Sequence, residues 1–131
     1  MGVLYSQSIG IVAGKQPDTG PVREKLLEIP NYETITITDW GEATAQRFLI
    51  PNGSIDMPLS LGTISNAEIF VMRVDTAGLE LDLKLINTNG TSMNLPLLPS
   101  RTSIFHTKFI GALVTNTSGG DIEGVFFVAG D

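Results

Sequence analysis

From residue 32 to residue 129 the chain is a succession of short strand-like runs separated by turn sequences. Most of the runs alternate apolar with polar side chains, which is typical of strands that bury one face. The gaps hold Asn-Gly, Gly-Gly or proline-flanked pairs, and these favour tight turns. The pattern predicts an all-β domain, since it leaves no room for the helical crossovers that parallel sheets require.

The clearest strand signal lies in residues 79–86, where leucines alternate with Glu80, Asp82 and Lys84. We predict inward leucines and outward charges there, because successive side chains of a strand project to opposite faces. Residues 67–74 are mostly apolar on both faces. That run is therefore predicted to be a central strand, buried on both sides.

Proline and glycine positions predict which strands lie at a sheet edge and where the chain turns. Pro96 and Pro99 confine residues 91–98 to a sheet edge or an irregular strand, since proline cannot donate to a ladder. The turn sequence at residues 51–53 predicts a tight hairpin between the runs 45–50 and 54–61. Eight or nine strands at this spacing favour an antiparallel, two-sheet sandwich. A jelly roll is the first choice and a Greek-key sandwich the second.

The first 31 residues have a different character and are predicted to form an N-terminal arm. Leu4 to Ala13 could make one strand, and residues 14–21 are a loop by composition. Residues 21–28 could form a short helix with Pro21 in its first turn, or remain extended. We divide the chain into an arm, 1–31, and a sandwich domain, 32–131, and expect the arm to reach a neighbouring molecule.

Composition excludes several classes of function. The chain has 131 residues, no cysteine and a net charge of −6. Without cysteine there are no disulfides, thiol nucleophiles or cysteine-based metal sites. Its eight lysines and arginines are scattered, which argues against binding nucleic acid or an anionic membrane surface. The N-terminus has no signal-peptide pattern, and the longest apolar run, residues 125–129, is too short to span a bilayer.

The residues that could carry chemistry are better explained structurally. His106 is the only histidine, and no serine lies in a nucleophile-elbow glycine pattern. The carboxylate pairs Glu80/Asp82 and Asp121/Glu123 are interpreted as solvated faces rather than glycosidase pairs or calcium ligands. We therefore predict that the protein is not an enzyme and has no catalytic residues, cofactor or metal.

Several segments of the C-terminal half carry a resemblance. They are Ser-Asn-Ala-Glu-Ile-Phe-Val at 65–71, Leu-Pro-Ser-Arg-Thr at 98–102, Phe-Ile-Gly-Ala-Leu-Val-Thr-Asn-Thr-Ser-Gly-Gly at 109–120, and the apolar strand 124–129. With them the chain resembles the small β-sandwich capsid decoration or cement proteins of tailed bacteriophages, which are similar in size, free of cysteine and mostly β. The resemblance implies a homo-oligomeric jelly roll, with a trimer favoured, on the capsid surface of the virion. It also implies assembly in the host cytoplasm and an N-terminal arm that contacts the major capsid protein.

The predicted function is therefore that of a virion structural protein that stabilises the phage head through arm and loop contacts. The alternative is a carbohydrate-binding or receptor-binding module of a phage tail or spike, with Trp40 and Tyr32 as platforms for a glycan. Trp40 could equally plug one end of the core. The residues that we expect to bind a partner are Tyr5, Pro17, Pro21, Arg23, Tyr32 and Trp40.

Overall fold

A computed structural model of the protein describes residues 41–131 with their side chains and, before them, the backbone of four strands. These strands are β1 (Val3–Ser8), β2 (Ile11–Lys15), β3 (Glu24–Ile29) and β4 (Thr34–Trp40). Strand β1 pairs with β4, and β2 pairs antiparallel with β3. Backbone contacts group Gly2–Asp39 as one compact unit and Trp40–Asp131 as another. None of the described residues is helical, so no membrane-crossing helix occurs among them.

For the first unit, one prediction is wrong and one of two alternatives is excluded. The run from Leu4 to Ala13 is not one strand, because β1 and β2 belong to different two-stranded sheets. A helix over residues 21–28 is also excluded, since Glu24–Ile29 is a strand. Two isolated helical turns are marginal, whereas pairing with β2 satisfies the backbone of this segment. The arm boundary at residue 31 and the arm's contact with a neighbour stay predictions.

The second unit contains eight strands in two four-stranded sheets. In chain order they are β5 (Glu42–Ile50), β6 (Met57–Pro58), β7 (Ala67–Val74), β8 (Leu81–Ile86), β9 (Ser92–Leu97), β10 (Thr102–Phe109), β11 (Gly111–Thr115) and β12 (Ile122–Gly130). One sheet has the order β10-β7-β12-β5 and the other β6-β11-β8-β9. All of these neighbours pair antiparallel. Consecutive strands cross between the sheets at every step except β8 to β9, and this is the jelly-roll arrangement.

The core fills the space between the two sheets. Leu81, Leu83 and Leu85 of β8 are buried and Asp82 is exposed, which confirms the alternation predicted for this strand. From the opposite sheet, Phe70 lies at the centre of an aromatic cluster. Its ring stacks on Phe126 at 6.0 Å between centroids and meets the edge of Phe109 at 5.8 Å. Such ring pairs add to the free energy gained from apolar burial alone.

The predicted positions of two strands are confirmed. Strand β7 lies between β10 and β12, so its central position is confirmed. Its inner face, with Phe70 and Met72, is buried. On the outer face Ile69 is buried, but Val71 is half-buried and Arg73 is exposed, so the predicted burial of both faces is confirmed only in part. Strand β9, which contains Pro96, is at the edge of its sheet. Proline has no N–H to donate, so an edge is the position where its presence costs least.

The predicted hairpin across residues 51–53 is wrong. Strand β5 belongs to one sheet, and the following strand shrinks to Met57–Pro58 in the other. The turn residues hydrogen-bond to a distant loop instead of closing a local ladder: the N–H of Gly53 donates to the carbonyl of Asn116 at 2.7 Å. The Asn-Gly sequence therefore favours the turn itself. The long-range hydrogen bonds, rather than a local ladder, fix the turn where the chain passes from one sheet to the other.

Candidate docking site at the loop end

Four connections meet at one end of the sandwich. They join β5 to β6, β7 to β8, β9 to β10 and β11 to β12, and comprise residues 51–56, 75–80, 98–101 and 116–121. Hydrogen bonds link the first of them to the fourth, and others tie the second and third to the neighbouring strands. We call these four connections the loop end. The backbone groups of these connections have no partners in a sheet ladder. Their conformation therefore depends on specific hydrogen bonds to other loops and side chains.

A buried side chain, that of Asn116, organises the loop end. Its amide nitrogen donates to the carbonyl oxygens of Ile50 at 2.9 Å and Gly120 at 2.8 Å. Its amide oxygen accepts from the main-chain N–H of Ser118 at 3.1 Å and from the Ser118 hydroxyl at 2.6 Å. Both donors and both acceptor positions of the amide are therefore used, which is the condition for burying such a group at little cost.

The backbone of Asn116 fixes the neighbouring connection. Its N–H donates to the carbonyl of Ser54 at 2.8 Å, while its carbonyl accepts from Gly53. The N–H of Asn52 donates to a carboxylate oxygen of Asp121 at 2.9 Å. These bonds hold residues 51–56 against residues 116–121.

The first connection exposes a large apolar side chain. Ile55 is 69% exposed, and the residue after it, Asp56, has a φ of 47°, in the left-handed region that side chains rarely adopt. The N–H of Asp56 donates to the hydroxyl of Thr115 at 2.9 Å, which helps to hold this strained turn. Leu49 and Leu98 lie at the same end and are each 54% exposed. A large exposed apolar side chain on a hydrogen-bonded connection, such as Ile55, is a candidate anchor for a protein–protein contact.

The rim of the loop end is acidic. Six exposed carboxylates lie in its connections or at the strand ends beside them: Asp56, Asp75, Glu80, Asp82, Asp121 and Glu123. The cations of the same end are Arg73, Lys84 and Arg101, so the carboxylates outnumber them. The pairs Glu80/Asp82 and Asp121/Glu123, taken from the sequence as two separate solvated faces, are thus exposed at one common end.

Two ion pairs involve this rim. The guanidinium of Arg73 contacts Asp75 at 2.6 Å, and the ammonium of Lys84 contacts Asp56 at 3.0 Å. The hydrogen bond to Asp75 and the negative charge of the Asp75 carboxylate both raise the pKa of Arg73 above the usual arginine value. The guanidinium therefore stays charged at any physiological pH.

A polar recess of about 290 Å³ lies beside the rim and is lined by residues of the second and fourth connections, among them Glu80 and Ser118, together with Asp82. Within residues 41–131 and the described strands before them, no three His, Asp or Glu side chains are grouped closely enough to hold a metal ion. His106 is exposed on the edge strand β10, where it lies opposite Ile69.

The partner-binding residues predicted from the sequence all lie in the first unit or at its boundary. Tyr5 falls in β1 and Trp40 ends β4, and the structure describes only the backbone there. Pro17, Pro21, Arg23 and Tyr32 lie outside the described residues. Their roles therefore stay predictions. Sequence reasoning missed Ile55 and Asn116, although the Asn-Thr-Ser-Gly-Gly run at 116–120 identified the turn that holds Asn116.

No family model matches the chain, and no curated protein matches it. Among solved structures it is similar to a chain from Bacillus endospore appendages, which form a family of disulfide-linked pili. The two share 12% sequence identity over 72% of this chain and 95% of the other, with a TM-score of 0.42. The present chain has no cysteine with which to form a disulfide.

Proposed function

We propose that the protein is a structural subunit of a bacteriophage particle, a capsid decoration protein that works by docking onto other proteins. The observation that carries the proposal is Ile55, an exposed apolar side chain on a connection held in place by the buried Asn116. In this proposal the loop end is the docking surface. The predicted arm, residues 1–31, supplies a further contact with capsid protein.

The energetics favour Ile55 as an anchor. Full burial of an isoleucine side chain contributes about 2 kcal/mol. Ordering a flexible residue costs about 1–2 kcal/mol of backbone entropy. A connection that is already hydrogen-bonded loses this entropy when the protein folds, so binding does not have to offset it again. A rigid loop with one large apolar side chain therefore keeps most of the free energy of the contact.

The acidic rim indicates the chemistry of the partner. A complementary surface would place basic side chains around an apolar hollow, so that opposite potentials meet while Ile55 is buried. The carboxylates are exposed, hence their contribution should fall as salt is added. On a symmetric particle the same weak contact is repeated many times, so the overall affinity of an oligomer for the particle exceeds that of a single contact.

The fold is compatible with this function, and the resemblance is what favours it over the alternative. Jelly rolls recur in viral capsid proteins and in lectins, and the fold alone does not select between these uses. The resemblance of the C-terminal half to phage decoration proteins favours the first. The glycan-binding alternative depends on Trp40 and Tyr32, whose side chains lie outside the described part of the chain, so it stays a prediction.

Co-sedimentation with purified phage capsids that lack the protein tests the proposal. We expect the wild type to sediment with capsids at low salt and less so at high salt. Ile55→Ser should weaken retention about tenfold, equivalent to 1.4 kcal/mol. Ile110→Ser is the matched control, because Ile110 is another exposed isoleucine, 45% exposed, at the opposite end of the sandwich. A wild type that never sediments with capsids contradicts the proposed function, and equal retention of both variants excludes the loop end.

A further inference from the structure

Two Asn-Gly pairs occur in the second unit. One is Asn52-Gly53 in the loop end, and the other is Asn89-Gly90 in the turn that joins β8 to β9. Glycine has no side chain to shield its peptide nitrogen, so this nitrogen can approach the side-chain carbonyl carbon of the preceding asparagine. All four residues are exposed, so water reaches both pairs. The pairs differ in the hydrogen bonds that surround them.

The Asn52-Gly53 pair is bonded to residues that are distant in sequence. The N–H of Gly53 donates to the carbonyl of Asn116 at 2.7 Å. The side-chain carbonyl of Asn52 accepts from the N–H of Gly119 at 3.1 Å, and the main-chain N–H of Asn52 donates to Asp121 at 2.9 Å. The peptide nitrogen and the side-chain carbonyl of this pair are thus both held by the fourth connection of the loop end.

The hydrogen bonds of the Asn89-Gly90 pair join it to residues of its own turn. This turn comprises residues 87–91, and we call it the β8–β9 turn. The N–H of Gly90 donates to the carbonyl of Asn87 at 3.0 Å. The side-chain carbonyl of Asn89 accepts from the N–H of Thr91 at 3.0 Å and from the Thr91 hydroxyl at 2.9 Å. The β8–β9 turn can therefore open without breaking a contact between distant segments.

The free energy of local opening decides which pair can react. The peptide nitrogen has to leave its hydrogen bond before it can approach the side chain. An exposed turn with local bonds opens at little cost in free energy, whereas a contact between distant segments opens only together with the structure that it holds. The first case describes Asn89 and the second describes Asn52, which is tied to the connection that the buried Asn116 organises.

We infer that Asn89 is a site of spontaneous deamidation and that the fold protects Asn52 from the same reaction. The peptide nitrogen of Gly90 bonds to the side-chain carbonyl carbon of Asn89, and the bond from this carbon to the amide nitrogen breaks. The amide nitrogen leaves as ammonia, with the proton that the peptide nitrogen loses. Water then opens the resulting succinimide ring. Breaking the new bond gives aspartate, and breaking the original peptide bond gives isoaspartate.

The reaction would change the end of the sandwich opposite the loop end. Strand β8 begins beside the second connection of the loop end and leads to the β8–β9 turn at its other end. Aspartate adds a negative charge there, and isoaspartate lengthens the main chain inside a turn closed by the bond from Gly90 to Asn87. The connection that exposes Ile55 stays unmodified. The inference does not depend on the proposed function, because it concerns only the chemistry of the chain itself.

Ageing of the purified, folded protein at mildly alkaline pH tests the inference. Peptic digestion in acid then avoids further conversion, and mass spectrometry with fragmentation locates each modified residue. Asn89 should convert about tenfold faster than Asn52, because only Asn52 has to break a contact between distant segments. The rate at Asn89 should rise with pH, since the peptide nitrogen has to lose its proton.

Unfolding in guanidinium chloride is the matched control. Both sites have the same dipeptide, so in the unfolded chain they should convert at rates within about twofold of each other. Equal rates at the two sites in the folded protein overturn the inference. The absence of conversion at Asn89 also overturns it, and so does a tenfold difference that persists in guanidinium.

Asp121→Ala tests the protection of Asn52 directly. The substitution is exposed and removes the carboxylate that accepts from the N–H of Asn52. It should speed conversion at Asn52 and leave Asn89 at its wild-type rate, and circular dichroism establishes that the variant is folded. A folded variant in which Asn52 reacts no faster would contradict the role given to the long-range bonds.

Discussion

The side-chain amide of Asn116 donates a hydrogen bond to the carbonyl of Ile50 at 2.9 Å, across 66 residues of sequence. Ile50 ends β5 in one sheet, and Asn116 directly follows β11 in the other. Both residues are fully buried. This bond therefore ties the two sheets together at the loop end, and it does so beside the connection that exposes Ile55.

Asn116→Asp should destabilise the protein by about 3 kcal/mol, because a carboxylate of the same shape donates nothing to the buried carbonyl of Ile50 and brings a negative charge into a buried position. The carbonyl of Gly120 keeps the hydroxyl of Ser118 as a donor. Urea unfolding followed by circular dichroism measures the change. The control is Thr117→Ala, an exposed neighbour, which should stay within about 0.5 kcal/mol of the wild type. If the two variants unfold at the same urea concentration, Asn116 does not organise the loop end.

Gly124→Ala should cost about 3 kcal/mol, since a methyl group there would collide with the carbonyl of Arg73 and the ring of Phe48. Strand β12 would have to move away from both of its neighbours. Gly111→Ala is the matched control, because its methyl group would meet only the adjustable side chain of Ile86. Thermal unfolding should show a large drop in the midpoint for the first variant and a small change for the second. Equal midpoints would contradict the close packing of β12.

Phe70→Ala should cost about 4 kcal/mol, because Phe70 is fully buried and its ring contacts those of Phe105, Phe109 and Phe126. Phe105→Ala, at a half-buried position on the edge strand β10, should cost about 2 kcal/mol. Guanidinium unfolding of the two variants measures the difference. A larger loss for Phe105 than for Phe70 would place the centre of the core elsewhere.

Lys84→Met should change the free energy of unfolding by only about 0.5 kcal/mol, because the ion pair with Asp56 is substantially exposed to solvent. The side chains are 29% and 49% exposed. The difference from the wild type should shrink further as salt is added. A loss several times larger that persists at high salt would show that this ion pair, rather than the hydrogen bond from Asp56 to Thr115, holds the strained turn at Asp56. Lys108→Met, with no ion pair to another described residue, provides the baseline.

The strands and their inner faces could be read from local sequence. Alternation at Leu81, Leu83 and Leu85 predicted which side chains enter the core, and Pro96 predicted an edge strand. Both inferences depend on properties of a single segment: the two-residue period of a strand and the missing N–H of proline. The all-β class and the two-layer arrangement followed from the same signals.

The partner of each strand was decided by tertiary structure. An Asn-Gly turn marks where the chain reverses, and it predicted a hairpin between β5 and β6, but β5 pairs with β12 instead. The burial of Asn116 and the convergence of the acidic residues on one end likewise depend on segments far apart in sequence. Pairing and loop convergence are set by which distant surfaces bury the most apolar area together, and that quantity does not exist within any one segment. Alternation and turns therefore determined the elements, and the packing of the two sheets determined the topology and the candidate site.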